Sequence, residues 1–173
     1  MRRISPGRRV EFQQRTGQCR KTVLNRTAVE NRAPPTRPWL LVQPEGARII
    51  DTGVARWWIE DGVVFTQNYT AGGVTAGHVR AGFAAALQLS GGRRCALVAE
   101  TGPLDGSTRE ARDLLSGPEA AEVYRGMGVL VTSPVARTLM NLFVRVAPPP
   151  FEVRVFTSAD EARAWARKLV IDG

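Results

Sequence analysis

Between Arg93 and Val170 the chain alternates between short, nearly all-apolar runs and segments with helical spacing, and few architectures accept that alternation. The runs are "RRCALVAET", "MGVLVTS" and "FEVRVFTS". Each is too short for a core helix and too continuous for a half-solvated strand, so each predicts a strand covered on both faces. The helical segments between and after them are the stretch opening at "LDGSTREARDLL" with "GPEAAEVYRG", then "SPVARTLMNLFVRVA", then "SADEARAWARKLV". Upstream, "VARWWIEDGVVFTQNY" holds two β-rich runs, Val54–Ile59 and Val63–Tyr69, around Glu60-Asp61-Gly62, which predicts a hairpin. "TAGHVRAGFAAALQLSGG" then brings Val79, Phe83, Ala86, Leu87 and Ser90 near one helical face before Gly91-Gly92 stops it. The order is hairpin, α, β, α, β, α, β, α. Strands alternating with helices need crossover connections, so the expected fold class is an α/β sandwich with a mixed, mainly parallel sheet.

Local signals set the expected helix starts. Ser107 and Glu110 have the spacing of a capping box, in which the hydroxyl takes a helix-end N–H and the carboxylate reaches back. Ser158 and Glu161 repeat it, and Ser133-Pro134 supplies a cap followed by proline at the first helical position. Pro148-Pro149-Pro150 ends that helix.

Charge is distributed unevenly. Residues 1–38 carry ten of the 24 Lys/Arg and only Glu11 and Glu30 of the 16 Asp/Glu, while the remaining 14 basic and 14 acidic side chains cancel. The net charge of +8 therefore describes a leader, and it predicts no basic face on the folded body. Low hydrophobicity, high charge and the prolines at 34, 35 and 38 give this leader little to bury, so residues 1–38 are expected to be disordered and residues 39–173 to form one domain. Nucleic-acid binding would rest on that leader alone. Cys19 lies in the leader and Cys95 in an apolar run, which sets up neither a disulfide framework nor a metal spacing. No apolar run reaches the roughly 18–20 residues of a membrane span, and a cytoplasmic location is expected.

"WWIEDGVVF", "STREARDLL", "GVLVTSPVARTLMNLF" and "VRVFTSADEARAWA" together resemble the STAS domains, the SpoIIAA-like fold of anti-sigma factor antagonists, in a small bacterial branch. The resemblance spans roughly Arg48 to Val170 and implies a regulatory module that works by protein–protein contact. In those antagonists a partner kinase phosphorylates a serine at the start of the helix after a central strand. Carried onto this chain, with Arg94–Ala99 as the strand, that serine is Ser107, with Thr108 beside it. The antagonists' Asp-Ser-Ser-Gly-like run is here Asp105-Gly106-Ser107-Thr108-Arg109-Glu110, with the trailing glycine absent. A phosphate at this helix start would gain from the dipole and from Arg109 and Arg112, while Asp105 and Glu110 would oppose it. Ser107 thus stands as a helix cap or as a phosphoacceptor.

Catalytic patterns are weak. Gly102 and Gly106 are too close for a phosphate loop and no lysine follows them, and His78, the one histidine, has no G-x-S-x-G elbow to serve. The expected protein is not an enzyme and needs no cofactor or metal. On the Pro134–Val146 helix, Val135, Leu139, Leu142, Phe143 and Val146 form one stripe, expected on the sheet, and Met140 with Val144 form an i, i+4 pair expected to face outward. The primary expectation is a regulatory or scaffold module. Its contact residues are Ser107–Arg109, Arg112 and the Met140/Val144 ridge, and its partner is a protein (a kinase or an anti-sigma-like factor) or a second copy. The alternative is a carrier of a lipid or nucleotide, held between the Pro134 helix and the sheet by Leu139, Phe143 and Trp165.

Overall fold

The computed structural model describes residues 39–69, 72–101, 106–146 and 148–171. The expected leader and the Gly102–Asp105 part of the loop before Ser107 lie outside them. Six strands form one sheet in sequence order: β1 (Ile50–Asp51), β2 (Ala55–Glu60), β3 (Val63–Asn68), β4 (Cys95–Thr101), β5 (Tyr124–Leu130) and β6 (Glu152–Phe156). The helices are α1 (Ala76–Ser90), α2 (Arg109–Leu115), α3 (Pro118–Val123), α4 (Pro134–Val146) and α5 (Ala159–Ile171). β1, β2 and β3 pair antiparallel, and β3 through β6 pair parallel. This is the hairpin-led, mainly parallel α/β sheet that the alternation predicted.

The hairpin forms where expected, because Asp61 and Gly62 both take positive φ, 50° and 79°. Such turns match the right-handed twist of the two strands. Thr75 caps α1 and Gly91 ends it in the left-handed conformation. Two boundaries differ from expectation. The first helix after Ser107 starts one residue later than its spacing suggests, at Thr108 as cap, and the following helical segment opens at Pro118 as read, with Gly117 as its cap. Tyr124, Arg125 and Gly126 belong to β5 and not to the preceding helix, since Tyr124 already pairs with Cys95.

Strand alternation sorts side chains onto two faces. On one face Trp58, Val63, Phe65, Ala96, Val98 and Leu130 pack beneath Ala162, Trp165 and Ala166 of α5. On the other, Trp57, Val64, Leu97, Ala99 and Tyr124 meet Val79, Phe83 and Ala86 of α1 and Ala111, Ala120 and Val123 of α2 and α3. Connections that step steadily across a parallel sheet with one hand put their helices on one side. α1, α2 and α3 therefore share a face, and α5, after the last strand, takes the opposite one.

One buried charge ties the lead-in chain to this frame. Glu100 near the end of β4 is 0% exposed, and its carboxylate accepts the N–H groups of Leu40 at 2.9 Å and Leu41 at 2.8 Å. Its neighbour Gln67, paired with it in register, donates to the Leu41 carbonyl at 2.7 Å. Leu41 itself is buried in the α5-side core. Replacing Glu100 by Gln turns one acceptor oxygen toward these N–H groups into a donor. Glu100→Gln is expected to lower stability by about 1–3 kcal/mol, read as a fall in the urea midpoint at unchanged slope.

Candidate functional site

A cavity of about 720 Å³ lies on the α1 side of the sheet. Its floor comes from alternate residues of successive strands: Trp57 on β2, Thr66 on β3, Leu97 and Ala99 on β4, and Met127 and Val129 on β5. Val79, Gly82 and Phe83 of α1 form one wall, and Ala136, Met140 and Val144 of α4 form the other. The space exists because α4 packs against β6 at the sheet edge. The upper halves of β4 and β5 face the gap between α1 and α4 with small or short side chains.

The magnitude of this gap matters. The space opens to solvent and is not a sealed void. Space on this scale has to be filled by solvent or by a ligand. It falls within the roughly 300–1,000 Å³ of small-molecule sites, which are mostly apolar with a few placed polar groups.

The α4 wall reverses the sequence expectation. Met140 and Val144, read as an outward ridge, are half-buried and line the cavity together with Ala136. Val135, Leu142 and Val146, read as the sheet-facing stripe, are 69%, 56% and 76% exposed. The side chains of Leu139 and Phe143 lie outside the described residues. The helix itself starts as expected, with the Ala136 N–H donating to Ser133 Oγ at 3.1 Å. Trp165, assigned in the carrier reading to the same groove, sits on α5 across the sheet, against Phe156.

The Ser107 region is also corrected. Thr108 caps α2, its hydroxyl accepting the Ala111 N–H at 3.2 Å. The position three residues after the cap is thus Ala111, and the Ser107/Glu110 box does not form. The reason is a long-range contact: Val74 and Ser107 form a parallel bridge, with Val74 N–H donating to the Gly106 carbonyl and Thr108 N–H to the Val74 carbonyl. That pairing keeps Ser107 extended for one residue more. Arg112 Nη1 donates to the Ser107 carbonyl and lies 3.4 Å from Ser107 Oγ. Arg109 is exposed and pairs with Asp113 at 3.8 Å. The Glu110 carboxyl is held below its usual range by its own backbone N–H and then by the Thr108 hydroxyl. Ser107 lines the cavity.

Other reactive groups are already engaged. His78 lines the cavity, but its Nδ1 accepts the Thr75 N–H at 3.3 Å, closing the capping box of α1. Burial pushes the Cys95 thiol up to about 12, which leaves almost no thiolate at neutral pH. Among the described residues, no group of three His, Cys, Asp or Glu could hold a metal, and no helix is long and apolar enough to cross a membrane.

Sequence reasoning overlooked the floor, above all Trp57 and Thr66. The signal was present in "VVFTQN", where a threonine interrupts an apolar run that must be covered on both faces. The cap assignment makes a simple prediction. Thr108→Ala is expected to lower stability by about 1 kcal/mol and Ser107→Ala by distinctly less, compared by thermal melts of the two variants.

No curated protein matches the chain. A solved structure, that of an uncharacterized protein of the DUF3478 family with a SpoIIAA-like fold from Shewanella loihica PV-4, is similar with a TM-score of 0.45 and 13% identity. The match covers 69% of this chain and 91% of that one. The family model described as a domain of unknown function, DUF7793, matches residues 57–170, from β2 to the end of α5, and the chain belongs to that family.

Proposed function

We propose that this protein is a non-enzymatic binding module that holds one apolar small molecule between α1, α4 and the sheet. The observation that supports this is the 720 Å³ cavity itself, walled by Val79, Phe83, Met140 and Val144 above Leu97, Ala99 and Val129. The space opens to solvent, and an apolar molecule that replaced the water against these walls would gain the burial of apolar surface. Methionine suits a wall that adapts to ligand shape, since its unbranched thioether fills irregular space. The site is a modified form of the carrier alternative, with Ala136, Met140 and Val144 in the wall and Trp165 outside it.

A regulatory reading at Ser107 has its own supporting observation. The residue borders the cavity and its Oγ lies 3.4 Å from the Arg112 guanidinium. A phosphate added there would have a cation already in place, and it would set a charge at the edge of an apolar site. In this reading phosphorylation controls what the cavity, or a partner protein at its rim, can bind.

The test uses N-phenyl-1-naphthylamine, a neutral apolar fluorophore. Saturable one-to-one binding with energy transfer from tryptophan is expected. Ala99→Phe, which places a ring in the cavity, should weaken it by about tenfold or more, with a thermal melt of the variant separating blocked binding from loss of fold. Absence of saturable binding, or equal affinity in Ala99→Phe, would remove the ligand-binding reading. Ser107→Glu with unchanged affinity and unchanged co-purifying proteins would remove the regulatory one.

A further inference from the structure

The two edges of the sheet differ. β1 at one edge is two residues long, whereas β6 at the other runs Glu152–Phe156 and pairs with β5 alone among the described residues. The Val131 N–H donates to the Phe156 carbonyl, so that carbonyl faces β5. Backbone direction alternates along a strand. Glu152 and Arg154 therefore also turn their N–H and C=O groups toward β5, and Val153 and Val155 turn theirs outward. An edge with outward N–H and C=O groups is a template for another strand.

The side chains beside this edge suit a partner. Val153 and Val155 line a groove with Leu142 and Val144 of α4. Leu142 is 56% exposed, and Val135 and Val146, seven residues before it and four after, continue an exposed apolar stripe on the same side of the helix. On the other face of β6, Glu152 and Arg154 form an ion pair at 2.6 Å, and Arg154 stands over the Trp165 ring. A single edge charge guards against strand pairing. Opposite charges two residues apart do the reverse in one register.

That register identifies the partner. With Val153 and Val155 turned outward, two antiparallel copies of β6 meet about Val153, Arg154 or Val155. About Arg154, the two Arg154 side chains oppose each other, and like charges directly opposite are unfavourable. About Val155, Arg154 meets Phe156. About Val153, Glu152 of each copy lies opposite Arg154 of the other. These are the non-hydrogen-bonded positions, where side chains approach most closely. The sequence of β6 is thus complementary to itself, as a two-fold interface requires. We infer that two copies of this chain pair through β6, antiparallel about Val153, joining their sheets into one with the α4 stripes flanking the seam.

Sedimentation velocity on the full chain, from about 1 to 100 µM, tests this and should show a monomer–dimer equilibrium with a micromolar Kd. Glu152→Arg sets arginine opposite arginine across the seam, and Arg154→Glu sets glutamate opposite glutamate. Each variant alone should dimerise about tenfold or more weakly. Mixed in equal amounts the two variants complement each other, since the introduced arginine meets the introduced glutamate and the native Arg154 of one meets the native Glu152 of the other. The mixture should recover association near the native Kd. Repair of the ion pair within a chain does not account for that recovery, because neither variant regains it. Leu142→Asp, at an exposed position, should weaken the dimer independently of these charges. A native chain that stays monomeric at about 100 µM would overturn the inference. So would native-strength dimers in Leu142→Asp or in both charge variants, or a mixture no more associated than its components.

Discussion

A sheet that is apolar on both faces has to be covered on both, and here the two faces are covered to different degrees. β4 shows the contrast within one strand: Ala96, Val98 and Glu100 point to the α5 side, and Leu97, Ala99 and Thr101 to the other. On the α5 side a single helix lays Ala162, Trp165 and Ala166 across β3, β4 and β5, and the lead-in chain is fastened by the Glu100 carboxylate. That side is filled. On the other side α1 and α4 stand at opposite edges of the cavity, and the sheet between them packs against α1 while leaving space toward α4. The site follows from this mismatch between the span of the sheet and the reach of its covering helices.

Much of the frame was legible because it depends on local rules. Continuous apolar runs marked β4, β5 and β6, and Asp61-Gly62 marked the hairpin, since turn twist is a property of a few residues. The bounds of α4 were legible from Ser133, Pro134 and the triple proline. Its orientation was not. Apolar residues occur on two sides of this helix, Ala136, Met140 and Val144 on one and Val135, Leu142 and Val146 on another, so its period alone does not choose between them. A helix seated over a close-packed core buries its broadest apolar stripe. A helix that borders a cavity is under no such demand, and among the described residues the row of Ala136, Met140 and Val144 faces in.

The other misreadings share a cause. The Ser107/Glu110 spacing is a sound local signal, and it lost to a backbone bridge from Val74, a residue far away in sequence. Trp165 follows the last strand, and its face was decided by the turn of the chain beyond β6, which no spacing within α5 encodes. Tyr124 was drawn into a helix by the neighbouring "EAAEV" and belongs to β5 because Cys95 is there to pair with it. In each case a contact distant in sequence overrode a preference near in sequence.

Sequences agree with their structures at most positions, and disagreement concentrates where something other than stability was under selection. Three of the disagreements here meet in space. Ser107 is displaced from its cap, Met140 and Val144 are turned inward against the expected stripe, and Thr66 places an unpaired hydroxyl within an apolar strand; all four residues border the same cavity. The opposite face of the sheet, with Trp58, Phe65 and Ala166 packed together, is filled, and it carries the buried Glu100 and Gln67 that hold the lead-in chain. The departures on the α1 side border one cavity, and those on the α5 side, the buried Glu100 carboxyl and the unpaired Trp58 indole N–H, lie within a packed core.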